Sequence, residues 1–137
     1  MAHEVILAVE DNDKNLKLVR DLLHLRGFRV LEARTAEQGL ALAAEHRPDL
    51  VLMDIQLPDL DGTAALGRLR ADPRTAAIPV VALTAFAMKE DRARFLGAGF
   101  DGYLAKPIDI RAFPDQVRAF IRRDDVAADG RFGPGQP

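Results

Sequence analysis

Apolar residues along this chain gather in two ways, as short unbroken runs and as longer stretches in which they recur every three or four positions. Residues 5–9, residues 50–53 and, apart from Pro79, residues 78–83 form runs. A half-exposed strand alternates apolar with polar, so an unbroken run predicts a strand covered on both faces, as in a parallel sheet. Residues 29–33 and 102–105 are two further brief strands. The helical spacing lies between them. Leu16, Val19, Leu22 and Leu23 predict a helix from residue 13 or 14 to 26, with Gly27 at its C-cap. Thr35-Ala36-Glu37-Gln38 is a capping box that opens a helix through Leu40, Ala43 and Ala44, and Pro48 stops it after His46 and Arg47. Leu66 and Leu69 mark a third helix over residues 63–71, ended by Asp72-Pro73. Residues 89–96 form a charged helix with little apolar face, closed by Gly97 and Gly99, and so weakly anchored a helix is expected to open easily. Phe113, Val117, Phe120 and Ile121 define the last helix, with Pro114 in its first turn.

Strands alternating with helices predict an α/β fold with a five-stranded parallel sheet and five helices. At 137 residues the chain makes one domain, residues 1–123, with no attached output domain expected. Residues 124–137 lack periodicity and are rich in Gly and Pro, which predicts a disordered tail. A net charge of −2 gives no electrostatic reason to expect nucleic acid. No cysteine is present, which excludes disulfides and thiolate metal sites. With no signal-like amino terminus and no run long enough to span a membrane, the expected location is the cytoplasm.

The chemistry gathers at strand ends. The first strand runs into Glu10 and Asp11, the third into Asp54, the fourth into Thr84 and the fifth into Lys106. In a parallel sheet all carboxyl ends point one way, and the crevice beyond them is where ligands bind. Crowded carboxylates repel one another, and an all-oxygen cluster without His or Cys suits Mg²⁺. Cation, ammonium and hydroxyl around one Asp54 oxygen make that carboxylate a nucleophile toward a phosphoryl donor. The acyl phosphate so formed is open to water, so turnover by hydrolysis comes with the design. The chain is thus not a conventional enzyme, since it would catalyse its own phosphorylation and dephosphorylation.

Taken in order, Val9-Glu10-Asp11-Asn12, Leu52-Met53-Asp54-Ile55-Gln56-Leu57-Pro58, Leu83-Thr84-Ala85 and Tyr103-Leu104-Ala105-Lys106-Pro107 resemble the response-regulator receiver domain of two-component signalling. The resemblance covers residues 5–123, and within the family it is narrowest to single-domain cell-cycle regulators. It implies the doubly wound strand order 2-1-3-4-5. It also implies Asp54 as phosphoacceptor, Asp11 as a direct Mg²⁺ ligand, Glu10 acting through metal-bound water, and Gln56 as a ligand through its backbone carbonyl. Thr84 and Lys106 keep the catalytic roles above, Tyr103 becomes the switch aromatic, and the Lys106-Pro107 bond becomes cis. The implied partners are a histidine kinase or histidine phosphotransfer protein and a downstream protein bound by the fourth helix, fifth strand and fifth helix. Glu10, where many receivers have aspartate, and Phe86 and Gln56, two positions past Thr84 and Asp54, are departures expected to alter metal affinity or dephosphorylation rate.

Two other classes compete. A relay protein would pass its phosphoryl group to another histidine without allosteric output. A flavodoxin-like cofactor-binding protein shares the strand order, but the acidic turn Glu10-Asp11-Asn12-Asp13 lacks the glycine or hydroxyl groups that cradle a phosphate. A dehalogenase-type phosphatase would need a second aspartate where Gln56 stands. His3, His24 and His46 lie apart without metal spacing and are assigned no role. Arg111, Arg118, Arg122 and Arg123 are read as a solvated helix face.

Overall fold

A computed structural model describes residues 4–85 and 89–129. Five strands, β1 (Val5–Val9), β2 (Arg29–Ala33), β3 (Leu50–Asp54), β4 (Val80–Thr84) and β5 (Gly102–Ala105), pair in parallel in the order β2-β1-β3-β4-β5. The helices are α1 (Asp13–His24), α2 (Ala36–His46), α3 (Gly62–Ala71), α4 (Lys89–Ala98) and α5 (Phe113–Asp129). Every residue of β3 and β4 is buried.

Successive side chains of a strand point to opposite faces, so each apolar run supplies two cores at once. Ile6, Ala8, Leu50, Leu52, Val81 and Leu83 face α1 and α5, where they meet Leu16, Val19, Leu23, Phe113 and Val117. Leu7, Val9, Val51, Met53, Val80 and Ala82 face the other way, against Ala43 of α2, Leu66 and Leu69 of α3, and Phe95 of α4. The unbroken runs have this cause: neither face of the central strands meets water.

Helix ends carry most of the differences from the sequence expectations. α1 stops at His24 because the amides of Arg26 and Gly27 bond back over three residues, Gly27 turns left-handed at φ 87°, and Phe28 N–H reaches Leu23 O at 3.1 Å. β4 starts at Val80, since Pro79 has no N–H and takes part only through its carbonyl, which accepts from Val51 N–H. The α2 box is reciprocal one residue early: Thr35 Oγ1 accepts from Gln38 N–H, while Gln38 Oε1 accepts from the amide of Arg34 rather than Thr35. Pro114 sits in the first turn of α5 as expected, where no intrahelical donor is required. α5 itself continues to Asp129, into the stretch expected to be tail. Val126, Ala127 and Ala128 are compatible with helix, and Gly130 follows them. Residues 130–137, His3 and Phe86 lie outside the described residues. Among the described residues no helix is long and apolar enough to cross a membrane.

Candidate functional site

Strand register turns separate sequence positions into one patch. Val9 is level with Met53, so Glu10 continues the row of Asp54. Asp54 is level with Leu83, and Thr84 with Ala105, the residue before Lys106. Alternation places Glu10 and Asp54 on the face of Ile6 and Leu52, toward α1 and α5, and Lys106 follows the same face from Leu104. Thr84 comes from the opposite face, which Tyr103 shares.

Glu10, Asp11, Asp54, Gln56, Thr84 and Lys106 line one cavity of about 400 Å³. Lys106 Nζ lies 2.7 Å from Glu10 Oε1 and 3.1 Å from Asp54 Oδ2. The other Asp54 oxygen, Oδ1, accepts from Gln56 N–H at 3.0 Å. Glu10, Asp54 and Thr84 are buried, whereas Asp11 and Gln56 are exposed at the mouth. Tyr103 does not line the cavity; it is half-buried against the cluster that includes Phe95. The Lys106-Pro107 bond is cis.

The charges do not balance. Burial strips water from Glu10 and, with Asp54 beside it, pushes its carboxyl above the usual value of 4.5, although Lys106 and the Asn12 N–H pull the other way. Burial also works against the Lys106 ammonium, but Glu10 and Asp54 outweigh that and raise it above 10.5, so it stays charged. One ammonium faces three carboxylates: oxygens of Glu10, Asp11 and Asp54 lie within 4.8 Å of one another. This set has no nitrogen or sulfur donor, opens to solvent through Asp11, and suits a hard divalent cation that keeps some of its waters.

Two lining residues carry no role in the sequence reading. Asn12 Oδ1 caps α1 by accepting from Asn15 N–H, and Asn15 Nδ2 donates to Glu10 Oε1 at 3.3 Å. Their signal was present as a pair of asparagines three apart at a helix start. Gly62 supports the site from below: its N–H bonds Ile55 O, and a Cβ there would fall 2.7 Å from Asp54 O and 2.8 Å from Ile55 Cα. Those neighbours are backbone and have no rotamer to change, so only glycine fits.

Residues 6–118 match the model of the response regulator receiver domain. The polar-differentiation response regulator DivK of Brucella anthropi is 42% identical over 116 residues, 85% of this chain and 94% of that protein. Its Brucella ovis counterpart is 41% identical over the same shares. A putative response regulator from Chloroflexus aurantiacus superposes with a TM-score of 0.83 at 28% identity, covering 89% of this chain and 100% of its own. The receiver domain of a sensor histidine kinase from Pseudomonas aeruginosa, determined with a magnesium ion in its active-site cleft, gives 0.80 at 36% identity, over 88% of this chain and 99% of its own. A flavodoxin-like cofactor role gives way to these matches, since the crevice holds carboxylates and an ammonium and the family accounts for the strand order. The chain belongs to the response-regulator receiver domains, similar over most of its length to the DivK regulators.

Proposed function

We propose that this chain is a phosphorylation switch in which Asp54 accepts a phosphoryl group from a phosphohistidine on a histidine kinase or histidine phosphotransfer protein. The observation that carries the reading is the Lys106 ammonium held between the buried Glu10 and Asp54 in a cavity that Asp11 and Thr84 also line. In the step, an Asp54 carboxylate oxygen forms the new P–O bond as the P–N bond of the donor breaks, and the electron pair leaves on the imidazole nitrogen. Lys106 pairs with one phosphoryl oxygen and Thr84 donates its hydroxyl to another. Lys106 already stands 3.1 Å from Asp54 Oδ2 before the donor arrives, so the charge that develops meets a placed cation, and the Thr84 hydroxyl closes on the phosphoryl group as it forms. Glu10, Asp11, Asp54 and the Gln56 carbonyl are the groups that would hold Mg²⁺, which when bound offsets the carboxylate charge and the charge on the transferring oxygens. The Pseudomonas aeruginosa receiver with magnesium in its cleft supports that choice of ion.

Output follows from the face that Thr84 and Tyr103 share. A phosphoryl group that draws the Thr84 hydroxyl toward Asp54 changes the space beside β5, which Tyr103 fills. Phosphorylation thereby shifts the balance between two forms of the surface made by α4, β5 and α5, which binds a downstream protein. Intact-mass spectrometry after incubation with Mg²⁺ and acetyl phosphate tests the acceptor: wild type gains one phosphoryl group and Asp54→Asn gains none. An equal gain by both proteins would overturn the assignment.

A further inference from the structure

The oxygens assigned to the metal above come from two separate places, the turn after β1 with Glu10 and Asp11 and the loop after β3 with Gln56. The β1–β3 ladder fixes Glu10 and Asp11 relative to Asp54, but Gln56 stands two residues beyond the end of β3 and needs contacts of its own. α2 touches both rims. On the first side it lies hard against β1: a Cβ on Gly39 would fall 2.7 Å from Val9 Cγ2, and Glu10 N–H bonds Ala33 O at 2.9 Å just ahead of the helix. On the second side the β3–α3 loop reaches over to the start of α2. Asp59 Oδ1 accepts from Ala36 N–H at 2.8 Å and Asp59 Oδ2 from Glu37 N–H at 3.0 Å. These two amides are the first of the helix and lack intrahelical partners, and Thr35 satisfies only the third, on Gln38. The carboxylate also stands at the positive end of the α2 dipole, and its two amide bonds hold it below the usual value of 3.8.

Around this link the loop has little freedom. Gln56 N–H is bonded to Asp54 Oδ1, Leu57 and Leu60 pack on the core, and Asp61 caps α3 through Thr63 N–H. Glu37, whose amide Asp59 holds, forms a two-pronged ion pair with Arg68 of α3. On the opposite rim Arg34 Nε donates to Asp13 Oδ1 at 2.7 Å, but both side chains are well exposed and that pair adds little. Asp59 thus joins the loop to α2 by direct hydrogen bonds, beside the apolar packing of Leu57 and Leu60.

We infer that Asp59 is a positioning residue for the metal site: by tying the β3–α3 loop to the amino end of α2, it sets where Gln56 stands relative to Glu10 and Asp11. This rests on the reading of Glu10, Asp11, Asp54 and Gln56 as the metal-holding groups. By linkage, whatever the link contributes to Mg²⁺ affinity, Mg²⁺ returns to the link.

Calorimetric titration of Mg²⁺ into wild type, Asp59→Ala and Thr35→Ala separates positioning from helix stability. Both variants lose a cap of the same helix, and only Asp59→Ala cuts the hydrogen bonds between the helix and the loop. Affinity falls roughly tenfold in Asp59→Ala, the scale of a lost outer partner of a metal ligand, and stays at the wild-type value in Thr35→Ala. Amide exchange in the wild type needs no variant: Mg²⁺ slows exchange at Ala36 and Glu37. Equal affinity loss in the two variants, or exchange at these amides indifferent to Mg²⁺, would overturn the inference. Wild type that binds Mg²⁺ with Asp59→Ala matching it would overturn the positioning role alone, whereas wild type that binds none would overturn the metal site with it.

Discussion

The two oxygens of Asp54 have different partners, Gln56 N–H for Oδ1 and the Lys106 ammonium for Oδ2, and Glu10 competes for the same ammonium at shorter range. Glu10 is the costly member of this group. It is wholly buried, burial and Asp54 both oppose its charge, and against them stand a shared lysine and the longer hydrogen bonds from Asn12 N–H and Asn15 Nδ2. A carboxyl raised by folding is charged at neutral pH only at the expense of stability. Glu10→Gln in Mg²⁺-free buffer is therefore expected to unfold at a higher urea concentration than wild type, while its Mg²⁺ affinity falls. A lower midpoint would show that Glu10 stabilises the fold through Lys106 more than burial opposes it. At this scale the gathering of Glu10, Asp11, Asp54, Thr84 and Lys106 was legible because each ends a recognisable strand or stands within two residues of its end. Asn15 and Asp59 were not, since their partners depend on side-chain reach and on a contact 23 residues away.

Among the elements, α2 depends on another segment at its amino end, where the β3–α3 loop supplies Asp59. The Asp59 carboxylate is held below its ordinary 3.8 by the Glu37 and Ala36 amides, so the native state binds its proton less readily than the unfolded chain. Its stabilisation is complete above 3.8 and is lost as pH falls through the lower native value. In denaturant titrations Asp59→Ala is expected to be less stable than wild type at neutral pH, with the gap closing below that range; a gap independent of pH would contradict the ionic character of the cap.

The α4 expectation illustrates the limits of periodicity. Its charged stretch gave little sign of an inward face, yet Phe95 is buried and meets Phe100 edge-on at 6.1 Å. The far end of α4 is held from outside the helix, because the Arg70 guanidinium of α3 bonds both Gly99 O and Asp101 Oδ2. Among its described residues, a helix held through Phe95 and a distant arginine shows only a weak pattern of its own. α1, with Leu16, Val19 and Leu23 all buried on one face, announces itself.

At the scale of the molecule, β1, β3 and β4 each feed both cores, so the sheet end that carries the acids, the hydroxyl and the lysine is set by the most buried part of the chain. This is why the fold and the gathering of these side chains could be read together: the runs that specify the sheet also bring the acids, the hydroxyl and the lysine to one end of it. The pairing of Thr84 with Tyr103, on which the proposed switch rests, leaves less trace in sequence, because both are ordinary strand residues until register puts them on one face. The central claim is that phosphate resides on one particular carboxylate. After phosphorylation from a phosphohistidine donor, borohydride reduces an acyl phosphate to the alcohol, converting an aspartyl phosphate to homoserine that peptide sequencing by mass spectrometry can place. Homoserine at position 54, and at neither 10 nor 11, is the expected result; homoserine at another acidic position, or none in protein that has gained phosphate, would contradict the account.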